Sequence, residues 1–215
     1  MIVNYKKAIV DGGKYMLSSG LTVGTWGNIS VCDRESGLVY LTPSGMPYNT
    51  LEEKDIPILK LDGTPVDAFR KPTIEKDMHL GIYNAYPQIG AVVHTHPKWS
   101  MIFACVRKTI PLICDEAAQF IKGDIECTEY ALPGSKELAV NCIEKLKSSN
   151  ACLIASHGSV CLGGNLKEAF DVATVLEYTA ELYHKILSMG MNPALLSKDD
   201  ISFMYDFVHT KYGQK

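Results

Sequence analysis

Ala91-Val92-Val93-His94-Thr95-His96-Pro97 is an apolar run that closes on two histidines one residue apart. Along an extended strand, side chains two residues apart share a face, so His94 and His96 present both imidazoles to one point. Pro97 ends the strand and puts that point at the edge or mouth of a sheet, where a ligand can reach it. Imidazole nitrogen suits a borderline divalent ion such as zinc, but two ligands leave such a site incomplete. Ala151-Cys152-Leu153-Ile154-Ala155-Ser156-His157-Gly158 offers the third: another apolar strand ends in a histidine, and Gly158 permits a tight turn beside it. A histidine closing one strand is ordinarily a hydrogen-bonded structural residue. Two strands with the same ending make His94, His96 and His157 a candidate metal site. Three protein ligands with an open fourth position is the pattern of a catalytic ion rather than a structural one.

Outward from this strand, helices and strands mix without a strict βαβ rhythm. Residues 5–19 read as a helix stopped by Gly20, with Gly12-Gly13 weakening it and calling for tertiary support. Strands near 28–32 and 38–42 flank the polar turn 33–37, and a strand at 56–61 precedes Asp62-Gly63. A helix from about 74 to 86, N-capped by Thr73, puts Glu75 and His79 on one face. Then come a strand at 90–95, a helix at 97–106, a strand at 125–127, a helix at 134–147 and strands at 151–155 and 158–162. A long helix at 166–189, apolar on much of its circumference, is expected to be mostly buried, and a terminal helix covers 198–212. The pattern predicts an α/β fold, a single three-layer α/β/α domain over residues 1–215 with a mixed, largely antiparallel central sheet. Neither GxGxxG nor GxxxxGK[ST] occurs, which argues against a dinucleotide or nucleoside triphosphate cofactor.

Composition narrows the partners. A net charge of −3 with no basic run argues against nucleic acid and anionic membranes, and 47% hydrophobic residues over 215 support a substantial core. Seven cysteines, an odd count without CxxC spacing, sit mostly in apolar runs and read as buried thiols of a reducing compartment. Residues 1–7 lack an apolar signal region and no segment reaches transmembrane length free of charge, so a soluble cytoplasmic protein is expected.

A metal with an open position polarises a carbonyl oxygen and stabilises the enolate left when the adjacent carbon loses a proton. The reaction needs a base, and Glu75, in the first turn of its helix, is the candidate. Read locally, the same carboxylate merely complements the helix dipole. Loops 25–28, 42–45 and 72–74 carry small and hydroxyl residues and, if they converge, can hold a phosphate without a lysine. His79 is either a packed helix histidine or a support for Glu75, and His184 reads as structural. Asp115-Glu116 interrupts an apolar segment, so the pair is either solvated or functional.

Thr25-Trp26-Gly27-Asn28-Ile29-Ser30, Leu41-Thr42-Pro43-Ser44-Gly45, Pro72-Thr73-Ile74-Glu75, His94-Thr95-His96 and Ser156-His157-Gly158 stand in the order and spacing of the class II aldolase/adducin family. The chain resembles that family over almost its whole length, through Tyr130-Ala131, Gly134-Ser135, Glu137-Leu138 and Lys211-Tyr212-Gly213. The resemblance implies a C4-type homotetramer with active sites near subunit interfaces. It implies one zinc ion, Zn2+, per subunit on His94, His96 and His157, with manganese or cobalt as alternatives. By the same resemblance Glu75 is the acid/base, Asn28 contacts the enediolate, and Gly27, Ser44, Gly45 and Thr73 cradle phosphate. Tyr212 protonates the aldehyde-side oxygen. The implied reaction is retro-aldol cleavage of a ketose 1-phosphate of the fuculose or ribulose type to dihydroxyacetone phosphate and a short aldehyde.

Two departures bear on the substrate. Ile74 replaces the second hydroxyl residue that normally precedes the glutamate, removing a phosphate donor. Asp115, followed by Glu116, stands where a tyrosine faces the aldehyde; a carboxylate there can carry a proton or bind polyol hydroxyls, and it repels an acidic aldehyde. Within the family, the alternatives are 4-epimerisation of a pentulose phosphate, whose catalysts usually carry aspartate at the Glu75 position, and decarboxylation or dehydration through the same enolate chemistry. An adducin-like partner-binding module is the non-enzymatic option, and it needs no metal triad.

Overall fold

In the computed structural model, which describes residues 4–213, the first helix, α1 (Tyr5–Ser18), starts where the Asn4 side chain accepts from the Lys7 N–H. It ends ahead of Gly20, whose φ of +75° is the left-handed turn expected of that glycine. The expectation for Met1–Val3 lies outside the described residues. Packing explains the glycine pair inside α1: a Cβ on Gly13 would lie 2.6 Å from the Tyr48 ring, and one on Gly12 2.8 Å from Ile29. Tyr48 cannot swing away freely, because its hydroxyl donates to the Gly27 carbonyl at 2.6 Å. Gly13→Ala therefore sets about 1 kcal/mol of helix propensity against about 1–3 kcal/mol of overpacking. The expected net result is a melting temperature lowered by up to roughly 8 °C in a thermal scan, and a rise would show that the ring yields.

One seven-stranded sheet follows: β1 (Asn28–Asp33), β2 (Leu38–Leu41), β3 (Ile58–Lys60), β4 (Pro65–Asp67), β5 (Ala91–Thr95), β6 (Ala151–Ile154) and β7 (Gly158–Gly163), in the order β4-β3-β2-β1-β5-β7-β6. Its ladders are antiparallel throughout the described residues, and His94 on β5 stands opposite Asn28 on β1 and Val160 on β7. The remaining helices are α2 (Lys76–Ala85), α3 (Lys98–Val106), α4 (Asp115–Phe120), α5 (Lys136–Lys145), α6 (Leu166–Ser188) and α7 (Lys198–Thr210). Alternate strand residues face two separate cores: Ala91 and Val93 pack with α1, α3 and α6, while Val92 packs with Met78, Tyr83 and Leu138 of α2 and α5. The architecture is the expected three-layer α/β/α arrangement. Among the described residues no helix is long and apolar enough to cross a membrane.

Several expectations change. The strand read at 125–127 is not one: Ile125 bridges Ile110 and Cys127 bridges Leu153, so each contact has a different partner and no ladder runs through. Helix α2 begins later than expected, with Glu75 rather than Thr73 at the N-cap, because Thr73 Oγ1 accepts the Glu75 N–H at 3.3 Å and forms a turn before the helix. The long helix α6 is not mostly buried. Eight of its 23 residues are, on one stripe that includes Ala169, Ala173, Leu176 and Ala180, while Lys167, Thr174, Tyr178 and Lys185 face outward. Cys105 is exposed, Cys114 and Cys127 are half-buried, and the other four cysteines are buried. The short elements β4 and α4 were not anticipated.

Two polar clamps fix the helices nearest the β5 terminus. Glu177 of α6 accepts the N–H groups of Trp99 and Ser100 at 2.6 and 2.9 Å, satisfying the first turn of α3 directly after Pro97. At the other side of the sheet, Arg34 donates to the carbonyls of Tyr83, Tyr86 and Ile89 at 3.1, 2.9 and 2.6 Å, closing the C-terminal end of α2.

Candidate active site

The end of β5 and the β6–β7 turn bring three imidazoles together. His94 is fully buried, and Ser156 at φ +57° turns the chain so that His157 returns over the strand ends. Gly158 leaves the space they occupy: a Cβ there would lie 2.4 Å from the Thr95 carbonyl oxygen, 3.1 Å from His94 Cε1 and 3.2 Å from His96 Cδ2. One ring nitrogen from each of His94, His96 and His157 lies within 4.8 Å of the others, and the ring centroids are 4.7, 4.9 and 4.9 Å apart.

The donor chemistry suits a cation. His94 Nδ1 lies 2.9 Å from the Ser159 carbonyl, which only accepts, so Nδ1 carries the proton and Nε2 is left as a lone pair in the neutral ring. That Nε2 faces His96 Nε2 at 3.0 Å and Glu75 Oε2 at 3.2 Å, while His157 Nε2 faces Glu75 Oε1 at 3.4 Å. Electron-rich atoms thus converge from four side chains, and a proton or metal ion relieves their repulsion. Glu75 Oε1 and His157 Nδ1 are buried with no hydrogen-bond partner among the described residues. Burial alone would raise the Glu75 pKa, but the His94 and His157 imidazoles and the Asn28 amide outweigh it and hold the carboxyl well below the usual range. Burial likewise works against a charged His94, yet the facing carboxylate carries its pKa above the ordinary value. Burial and the neighbouring His94 push His96 down to about 3, and the same two causes push His157 down to about 4.

Above the imidazoles opens a cleft of about 370 Å³ walled by the three small-residue loops. The loops are stitched together: Ser44 N–H donates to the Lys71 carbonyl at 2.9 Å, Thr73 N–H to the Thr42 carbonyl at 3.1 Å, and Thr42 N–H to the Ile29 carbonyl at 3.0 Å. Gly27, at φ +72°, passes so close to β5 that a Cβ would lie 2.6 Å from the His94 carbonyl oxygen. Gly27, Asn28, Ser44, Gly45, Thr73, Glu75, His96 and His157 all line this cleft, with His94 beneath them. Trp26, which stacks on His96 at 6.1 Å, Ile74 and Pro133 supply an apolar rim. Asp115 and Tyr212 are not among the lining residues; both are exposed, at the start of α4 and just past α7. A larger cavity of about 510 Å³ beneath α7 lies apart from the imidazoles and holds no metal-ligand cluster among the described residues. His79 is buried against Asn28, and nothing in its local sequence decided between its two readings. His184 lies at 5.3 Å from the Trp99 ring, away from the cleft.

The family described as the class II aldolase and adducin N-terminal domain matches residues 7–184. The chain belongs to the class II aldolase and adducin family. It is 39% identical to the 5-deoxy-D-ribulose 1-phosphate aldolase of Bacillus thuringiensis serovar kurstaki, over 91% of each chain. It is 31% identical to an L-ribulose-5-phosphate 4-epimerase of Salmonella paratyphi C, over 98% of each. A solved L-fuculose 1-phosphate aldolase superposes with a TM-score of 0.91 at 33% identity, covering 96% of both chains. Class II aldolases are metal-dependent, and His94, His96 and His157 form the group here that can hold an ion.

Proposed function

We propose that this chain is a zinc-dependent aldehyde-lyase that cleaves a ketose 1-phosphate to dihydroxyacetone phosphate and a short aldehyde. The carrying observation is the Glu75 carboxylate, one oxygen held by Asn28 and the other without a hydrogen bond and facing His157, set against the three imidazoles at the foot of the cleft. The aldolase relatives at 39% and 33% identity support the same reading.

His94, His96 and His157 hold the ion, which when bound supplies a Lewis acid toward a carbonyl oxygen. The proton work belongs to the side chains. In cleavage, the hydroxyl proton of the aldehyde half leaves to solvent through Tyr212, the carbon–carbon bond breaks with its electron pair passing to the ketone half, and Glu75, having taken a proton from solvent on Oε1, passes it to the carbon left behind. In condensation the same oxygen removes that proton. Asn28 donates to Glu75 Oε2 at 2.7 Å and so keeps Oε1 as the oxygen that exchanges protons. Tyr212 exchanges the hydroxyl proton of the aldehyde half, delivered across a subunit interface of a homotetramer, and Asp115 meets the aldehyde as a second proton carrier. Gly27, Ser44, Gly45 and Thr73 receive the phosphate. Seven unpaired cysteines fit a reducing, cytoplasmic setting.

The deciding assay presents zinc-loaded protein with ketose 1-phosphates of the fuculose and ribulose types and measures dihydroxyacetone phosphate. No cleavage across that panel overturns the assignment. Product analysis separates it from 4-epimerisation: a trappable aldehyde supports cleavage, whereas an epimer without one supports the epimerase. Glu75, where epimerases usually carry aspartate, favours cleavage. Ile74 lines the cleft beside Thr73 and is 62% exposed. Ile74→Ser, by adding one donor to a charged group, is expected to lower KM for a phosphorylated ketose by about 10-fold. An unchanged KM would place the phosphate elsewhere.

A further inference from the structure

Behind Glu75 the Asn28 bond is continued by a line of buried hydrogen bonds that the steps above leave unused. Asn28 Nδ2 donates to Glu75 Oε2 at 2.7 Å, and Asn28 Oδ1 lies 2.5 Å from His79 Nε2. On its other side, His79 Nδ1 lies 2.6 Å from Ser30 Oγ, which lies 2.8 Å from the Tyr83 hydroxyl. His79, Ser30 and Tyr83 are fully buried. Two periodicities build the line: Asn28 and Ser30 share one face of β1, while Glu75, His79 and Tyr83 fall four residues apart along α2 and the turn before it.

Each donor and acceptor in this line has a single consistent role. A carboxylate only accepts, so Asn28 turns its NH2 toward Glu75 and its carbonyl oxygen toward His79. That oxygen also only accepts, so His79 carries its proton on Nε2. Burial and the neighbouring His94 push the His79 pKa down to about 3, so the ring is neutral and its Nδ1 is an acceptor. Ser30 then donates to Nδ1 and accepts from the Tyr83 hydroxyl. The direction of the Asn28 amide is thus set from the core outward, and its second N–H is left for the cleft that Asn28 lines.

We propose that His79 is a positioning residue, whose fixed Nε2–H tautomer orients the Asn28 amide and through it the Glu75 carboxylate. The inference rests on the reading that Glu75 and Asn28 form the reacting centre. Without His79, the amide can rotate half a turn and set its oxygen against the carboxylate.

Two experiments test it. In zinc-loaded protein labelled with 15N-histidine, the His79 ring is expected to show the Nε2–H tautomer throughout the pH range of activity. An Nδ1–H tautomer would overturn the proposal, and this measurement stands even if the protein proves not to be an aldolase. In kinetics, His79→Leu is expected to lower kcat by about 10-fold, with KM changed less than about 2-fold and metal content unchanged. In an Asn28→Ala background the same substitution should cost less than about 2-fold, because there is no amide left to orient. An equal loss in both backgrounds would reduce His79 to a packing residue. His79→Gln, which keeps an N–H toward Asn28, guards against a variant that fails to fold: it should restore kcat to within about 3-fold of the unsubstituted protein, and a loss as deep as that of leucine overturns the proposal.

Discussion

Replacing Glu75 with glutamine is expected to leave the metal in place and to lower turnover by roughly 100-fold or more, the scale of lost general acid/base help. The amide nearly matches the carboxylate in shape, and its oxygen can still accept from Asn28, which donates to Glu75 at 2.7 Å. What it cannot do is give up or take on a proton. The three imidazoles are untouched by the change, and His94 keeps its Nδ1 bond to the Ser159 carbonyl. Elemental analysis of the variant beside its kcat therefore separates the roles. Full metal content with slow turnover marks Glu75 as the proton carrier, whereas joint loss of metal and activity marks it as a ligand. Turnover equal to the unsubstituted protein removes it from the mechanism.

Stripping the ion with a chelator is expected to abolish measurable turnover and to lower the melting temperature by roughly 8–16 °C. The figure follows from about 4.1 kcal/mol of linkage at metal 1,000-fold above its Kd, spread at about 2–4 °C per kcal/mol for a chain of this size. The physical source is the donor set: His94 Nε2 faces His96 Nε2 at 3.0 Å and a carboxylate oxygen at 3.2 Å, a crowding that a bound cation relieves. Adding back zinc, manganese or cobalt one at a time ranks the metals by recovered activity. An unchanged melting temperature together with unchanged turnover would end the metal-dependent reading for this chain.

The cluster of three imidazoles was readable in the sequence because it rests on local rules. His94 and His96 share a face by the two-residue repeat of a strand, and His157 stands beside a glycine where the next apolar strand ends. The long-range convergence was carried by the family pattern and not by any single spacing. Other features escaped for physical reasons. Six-residue α4 is too short to show a helical repeat, and β4 is an exposed three-residue edge strand without an apolar alternation. Thr73 satisfies the local requirements of an N-cap, but its hydroxyl is taken by a turn one step earlier. The place of His79 depends on α2 lying against β1, a packing fact that four-residue spacing does not contain. Asp115 and Tyr212 stand apart from the cleft of their own chain, so their assigned roles depend on how chains associate.

The antiparallel ladder between β5 and β7 sets Thr95 against Ser159 and His94 against Val160. Because side chains alternate along a strand, sliding β5 by a single position would send the His94 ring into the opposite core. The residue after the third imidazole accepts no side chain either, since a Cβ on Gly158 would lie 2.4 Å from the Thr95 carbonyl oxygen. Anyone reshaping this protein for a new aldehyde thus has freedom along the rim, at Trp26, Ile74 and Pro133, and almost none in the hairpin that carries the third imidazole.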